Sequence, residues 1–238
     1  MGKNRIFKTA FALLAGLVIC GPANAYLYDF TQGNNSETVN GVTASIYAID
    51  PITFDFTTDP LTHTAFDGDS GLPPCTGLLE CTTDGIGIND DEVSYQGYET
   101  LYASFSEAVD ITGIYLFDLF GIGDDGAGNP AEVAQILFGT ATGFIQYSLT
   151  GTAAPGTQSG YAFLDVLVED VFDITFFADV IDFSYPTVSG TFTPSPPNSD
   201  FALAAIETRT LEVPEPKTLT LLGLGLIGIG LMRMRSTT

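Results

Sequence analysis

The chain has 238 residues, with 29 Asp and Glu against seven Lys and Arg. Between 26 and 213 stand 28 of those acids and one base, Arg209, a net charge of −27, which excludes nucleic acid and anionic membrane faces as partners on Coulomb grounds. Hydrophobic residues at 45% and aromatics at 12% exclude a disordered polyanion, and the stretch is long enough for one domain with a sizeable core.

At the start, Lys3, Arg5 and Lys8 form a basic end, 10–19 an apolar run, and Ala23-Asn24-Ala25 a small-x-small cleavage site. That order of parts predicts a signal peptide over 1–25 and a mature chain beginning at Tyr26, with an uncleaved anchor as the alternative. Cys20 follows Ile19, where lipid attachment needs a small residue, so it is read as lost with the signal.

Strand patterns follow. Residues 42–49 (VTASIYAI) alternate, with Val42, Ala44, Tyr47 and Ile49 bracketing a half-buried strand. Residues 99–105 (ETLYASF) put Leu101, Ala103 and Phe105 on one face at period two. Further runs lie at 110–121, 143–151, 160–170, 171–181, 188–194 and 201–207, separated by Gly, Pro, Asp and Asn. Short strands with such turns predict an all-β domain, a sandwich or barrel, over 26–212. The one helix the pattern allows between the targeting ends is a short one over 130–136, with Asn129 as N-cap and Pro130 at its first position. Residues 193–200 (TPSPPNSD) read as a proline-rich loop before the last strand.

Export puts Cys75 and Cys81 in an oxidising compartment, where a local disulfide pinning an irregular loop is expected. Zinc would need two more thiols or histidines, and His63 is the only histidine. A lone His in a turn is more often structural than a base, and no GxSxG elbow accompanies it. The densest acidic cluster is at 84–105: Asp90, Asp91 and Glu92 follow a Gly-punctuated strand, and Glu99 opens the next. Asp118 ends a later strand, and Asp124 and Asp125 sit in a glycine-rich loop. Carboxylates in tight loops are the ligands calcium takes, so these seven residues form a candidate Ca2+ set if the strands bring their loops to one end. The bland reading is a solvated coat of turn acids. Tyr95, Tyr98 and Tyr102 offer sugar-stacking rings in a chain without Trp, and a carboxylate pair for glycoside hydrolysis cannot be located among so many acids.

The tail begins with Val213, Pro214, Glu215 and Pro216, where two prolines end whatever precedes them. Residues 219–232 carry no charge, and Arg233 and Arg235 follow, at the end the positive-inside rule assigns to the cytoplasm. Fourteen residues span about 21 Å as helix, short of the ~30 Å hydrocarbon core, and flanking Thr218, Thr220 and Arg233 stretch it. A buried core helix is the alternative, though four Gly and a basic end are unusual there.

This order of VPEP, apolar span and Arg-containing end resembles the PEP-CTERM sorting signal. The resemblance covers the last tenth of the chain. It implies recognition by an exosortase (a membrane cysteine peptidase), cutting near the motif, and a Gram-negative-type producer of extracellular polysaccharide. Residues 85–119 resemble a second pattern of exported PEP-CTERM proteins: Gly85-Ile86-Gly87-Ile88, Asp91-Glu92-Val93, Glu99, Leu101, Phe105, and Val109 with Ile111. That likeness implies an antiparallel, jelly-roll-like β-sandwich. It departs from the pattern after Asp118, which is followed by an apolar pair instead of an Asp-rich run.

Together these features describe a signal peptide (1–25), an acidic β-sandwich domain (26–212) and a sorting signal with a transmembrane helix (213–238). The expected protein is exported through the inner membrane and held, transiently or permanently, by its C-terminal helix. Its expected role is structural or binding, non-enzymatic, at the cell surface or in the polysaccharide matrix, with calcium in its loops. A calcium-dependent carbohydrate-binding module and a carboxylate glycosidase are the alternatives.

Overall fold

The computed structural model describes residues 25–50, 53, 55–66, 73–90, 92–95, 98–122, 130–151, 160–178, 188–190 and 199–209. All belong to the unit Ala25–Leu211, one of two into which the chain divides; the other is Met1–Asn24 with Glu212–Thr238. The expected signal peptide and C-terminal span therefore lie outside the described residues, as does most of the proline-rich loop.

The described strands are β1 (Ala25–Asp29), β2 (Ser36–Val39), β3 (Val42–Ala48), β4 (Leu61–Thr62), β5 (Gly87–Ile88), β6 (Thr100–Phe117), β7 (Val133–Thr140), β8 (Gly143–Thr150), β9 (Tyr161–Phe177), β10 (Val188–Gly190) and β11 (Ala202–Arg209). Nine of them form one sheet in the order β1-β11-β6-β9-β7-β8-β10, with β3 also on β6 and β2 on β3; β4 and β5 pair separately. Every pairing is antiparallel except β8 with β10. The fold is all-β, as composition and pattern predict, and the sheet does not close into a barrel.

Four expected strands are really two long ones. Residues 99–105 and 110–121 merge into the 18-residue β6, and 160–170 and 171–181 into the 17-residue β9. Their polar junctions are bulges, not turns: register slips between Ser104 and Val109, again to Ile111 and to Gly113, and Asp170 has φ 56°. A bulge bends a strand and changes its neighbours. Accordingly the first half of β6 lies between β3 and the second half of β9, whereas its second half lies between β11 and the first half of β9. Where a jelly roll keeps two sheets apart, here two long strands run through both halves.

One core serves both halves. Ala44 and Ile46 of β3, Leu101, Ala103 and Phe105 of β6, Ile136 and Phe138 of β7, and Ile174 and Phe176 of β9 join Tyr28 and Ile206 in a single buried cluster. The ring of Tyr28 on β1 meets that of Phe105 edge-on at 5.8 Å, although their strands do not pair. On β3 the inward set is Val42, Ala44, Ile46 and Ala48; Tyr47, expected to bracket the buried face, points outward. The helix expected over 130–136 is absent. Val133 opens β7, which is buried on both faces between β8 and β9, and a doubly buried run has no period by which to tell strand from helix.

β11 is buried on both faces because a loop covers its far side. Leu79, Tyr115, Phe117, Ala204 and Ala205 make a second cluster, with Phe66, Cys75 and Cys81 against it. Cys75 and Cys81 are disulfide-bonded, Cα to Cα 5.6 Å. Asp29 and Thr31 pin this loop: Asp29 Oδ2 accepts from Glu80 N at 2.8 Å, and Thr31 Oγ1 from Cys81 N at 2.9 Å. Asn40 and Gly41, both at positive φ (50° and 84°), turn β2 into β3 in the two-residue hairpin conformation that matches strand twist.

Candidate functional site

The acidic stretch is placed by main-chain bonds along the approach to β11. Ile86 bridges Leu203 in both directions at 3.0 Å, Val93 N donates to Phe201 O, and Tyr95 N to Ser199 O. Gly85 enters at φ 117°, and a Cβ there would fall 2.3 Å from the Leu203 carbonyl oxygen, so only glycine allows the approach. The chain then reverses at Asn89 (φ 64°), where Ile88 N donates to Glu92 O.

The predicted calcium ligands turn toward this loop's own amides. Asp90 Oδ1 accepts from Glu92 N at 3.3 Å. Glu99 accepts from Asn89 Nδ2 and from Ser94 N, each at 2.9 Å. Burial, with Asp90 adding a smaller push, holds the Glu99 carboxyl above the usual range despite these bonds. Asp118 ends β6 elsewhere, at φ 57°, its N–H on Gly160 O. Asp91, Asp124 and Asp125 lie outside the described residues. Among the described residues no three His, Cys, Asp or Glu side chains form a group that could hold a metal ion.

His63 is structural in its contacts. Its Nδ1 donates to Gly85 O at 2.9 Å and its Nε2 meets the Asn35 side chain at 2.5 Å, while burial lowers its pKa. Of the three tyrosines, Tyr95 packs on the core, and Tyr102 faces outward beside Tyr47, its hydroxyl on Asp173. Tyr98, at φ 52°, breaks the register before β6 and stands 64% exposed.

Sequence reasoning missed a buried acid, Glu132, paired with the half-buried Asp200. Glu132 is 2% exposed, just before β7. Its Oε2 accepts from Phe120 N at 2.6 Å, its backbone bonds both Phe120 and Gly151, and its carboxyl is hydrogen-bonded to Asp200. Beside it Val133 N donates to Ser199 Oγ at 2.9 Å. Burial first, then the charges of Asp200 and Glu92, push the Glu132 carboxyl up to about 9, so at neutral pH the hydrogen-bonded pair with Asp200 holds a proton. Two acids in direct contact leave no room for the sugar that a hydrolytic pair, about 5–9.5 Å apart, must straddle. The only signal in the sequence was one Glu heading a run that is apolar apart from Gln135.

A groove lies on the outer face of β3. After Ala48 the chain doubles back: Ile49 bridges Phe56, Thr57 N donates to Ala48 O at 3.0 Å, and Asp50 N to Asp55 O at 2.9 Å. This return sets the Phe56 ring against that of Tyr47, centroids 4.8 Å apart. Below them is a groove of about 380 Å³ whose wall includes Asn35, Ser36, Ser45, Thr57 and Asp59. A second depression of about 270 Å³ shares Thr57 and Asp59 with it and reaches Asn89, Tyr98 and Glu99.

No curated protein and no solved structure matches the chain. Residues 212–235, which contain Val213-Pro214-Glu215-Pro216, the apolar run, Arg233 and Arg235, match the family model of the PEP-CTERM protein-sorting motif. By its last residues, then, the chain carries the sorting motif of an exosortase-substrate PEP-CTERM protein.

Proposed function

We propose that the domain is a structural or binding component of the cell surface or the extracellular polysaccharide layer. In this reading the signal at 1–25 starts its export through the inner membrane, and the tail at 213–238 holds it there until an exosortase acts. The observation that carries the reading is the sorting motif at 212–235. Two features of the domain support it. A disulfide belongs to an oxidising compartment, and a net charge of −27 over 26–213 suits a solvated matrix and not a nucleic-acid or anionic-lipid partner. Calcium-bound loops and a carboxylate glycosidase are weaker alternatives; for calcium, the described residues hold no group of three ligating side chains.

The test is a fractionation in an exosortase-bearing host, using an antibody against the domain. Wild-type protein is expected to leave the inner membrane for the surface or medium with a loss of tail mass. Pro214→Ala and Glu215→Ala should remain in the membrane fraction. Variants sorted like the wild type would sink the reading.

A further inference from the structure

We propose that the groove under Tyr47 and Phe56 binds a neutral glycan chain, an assignment that rests on the extracellular placement proposed above. The first ground is the ring pair. Tyr47 is 41% and Phe56 66% exposed, and the two rings lie against each other over the groove. Their exposure is built in by backbone: Tyr47 lies mid-strand in β3, and Phe56 is clamped by its bridge to Ile49 and by the bond of the next residue to Ala48. Rings held apolar-face-out over a groove are platforms for the C–H face of a sugar.

The second ground is the wall. Asn35, Ser36, Ser45 and Thr57 present amide and hydroxyl groups, which pair with sugar hydroxyls in either donor or acceptor sense. Ser36 Oγ donates to the Ala44 carbonyl at 3.1 Å and stands 3.0 Å from Ser45 Oγ, which leaves both oxygens with lone pairs to accept from a sugar hydroxyl. The rest of the lining, Ile46, Ala48 and Leu61, is apolar and continues the surface of the two rings. The volume, about 380 Å³, lies within the ~300–1,000 Å³ of ligand clefts. The adjoining depression, lined in part by the exposed Tyr98, extends the site.

The third ground is charge. Asp59 lies in the wall, and the surrounding domain carries a net −27, so acidic polysaccharides are repelled and neutral ones are not.

Calorimetric titration of the full-length protein in detergent tests this, with β-1,4-linked glucohexaose and mannohexaose as neutral probes and hexagalacturonate as the anionic one. At least one neutral chain is expected to bind and the anionic chain not. Tyr47→Ala and Phe56→Ala should each weaken binding roughly tenfold or more, the weight of a lost aromatic anchor. The largely exposed Phe56 keeps its variant's unfolding midpoint near that of the wild type, so a loss there is not a folding defect. Failure of both neutral chains to bind, equal binding of hexagalacturonate, or unchanged affinity in both variants overturns the proposal. Glu215→Ala should bind as the wild type does. Wild-type protein that binds a neutral chain but stays in the inner membrane would remove the placement and leave the site; wild-type protein that is sorted but binds no neutral chain would remove only the site.

Discussion

At the scale of single residues, the side chain with the most consequence is Glu132. A carboxyl with 2% exposure, bonded to a second acid, keeps its proton far above the pH at which a free Glu loses it. Its folded pKa, about 9, exceeds the ordinary 4.5 of the unfolded chain, so the folded state binds the proton more tightly. The stability tied to that proton is fully present below the unfolded value and is lost as the pH rises toward the folded one. Glu99, Glu37 and Asp173, all raised mainly by burial, add slopes of the same sign. Glu132→Gln keeps an acceptor for Phe120 N and a donor for Asp200 while removing the ionisation. Thermal melts from pH 5 to pH 8.5 should show a flatter profile for this variant and a higher midpoint than the wild type at the alkaline end. Parallel profiles would mean that Glu132 is ionised at little cost. Nothing in the local sequence ranks Glu132 above 28 other acids, because its burial comes from Phe120, Gly151 and Ser199, which are distant in the chain.

Among the elements, β6 and β9 decide the architecture, and their bend is held by the domain's one base. Arg209 on β11 stands directly across from Asp110 in the bulged part of β6, with Nε and an Nη 3.0 Å from Asp110 Oδ2. The other oxygen of Asp110 accepts from Asp170 N, at the matching irregularity of β9, at 3.2 Å. Asp110 is 1% exposed and Arg209 about a third, so removing the base strands a buried carboxylate beside partial solvent. Arg209→Met should cost about 2–4 kcal/mol, somewhat less than for a fully buried pair, and Asp110→Asn combined with it should recover part of that loss. Chemical denaturation of the single and double variants measures both; additive losses would show that the pair does not couple. The sequence pattern divided each of these long strands because Ser, Glu and Asp occur in turns and bulges alike. The helix expected over 130–136 failed for a related reason: the run that opens β7 is buried on both faces and pairs along its edges with β8 and β9.

Over the whole molecule the dominant quantity is charge. With −27 over 26–213, self-repulsion opposes compaction and salt screens it, so the unfolding midpoint should rise between ~10 and ~150 mM NaCl as the Debye length shortens to about 8 Å. Calcium is a separate question. A site filled at 100 times its dissociation constant would add about 2.7 kcal/mol, several degrees in a domain of this size. Because Asp90 and Glu99 already serve their own loop's donors, calcium and magnesium at equal ionic strength are expected to give the same midpoint. A rise specific to calcium would assign the acids at 84–125 to a metal site.

Period-two alternation, turn residues and the order of parts in the tail were enough, by themselves, to establish an all-β domain bearing a sorting signal, since strand faces and targeting signals are written in consecutive residues. The inward face of 99–105 was legible for the same reason. What only the tertiary structure decided is everything that depends on which strand lies beside which: the fusion of four runs into β6 and β9, the strand at 133–140, the burial of Glu132 against Asp200, and the outward turn of Tyr47 to meet Phe56. Those depend on contacts between residues far apart in the chain, and local periodicity carries no record of them.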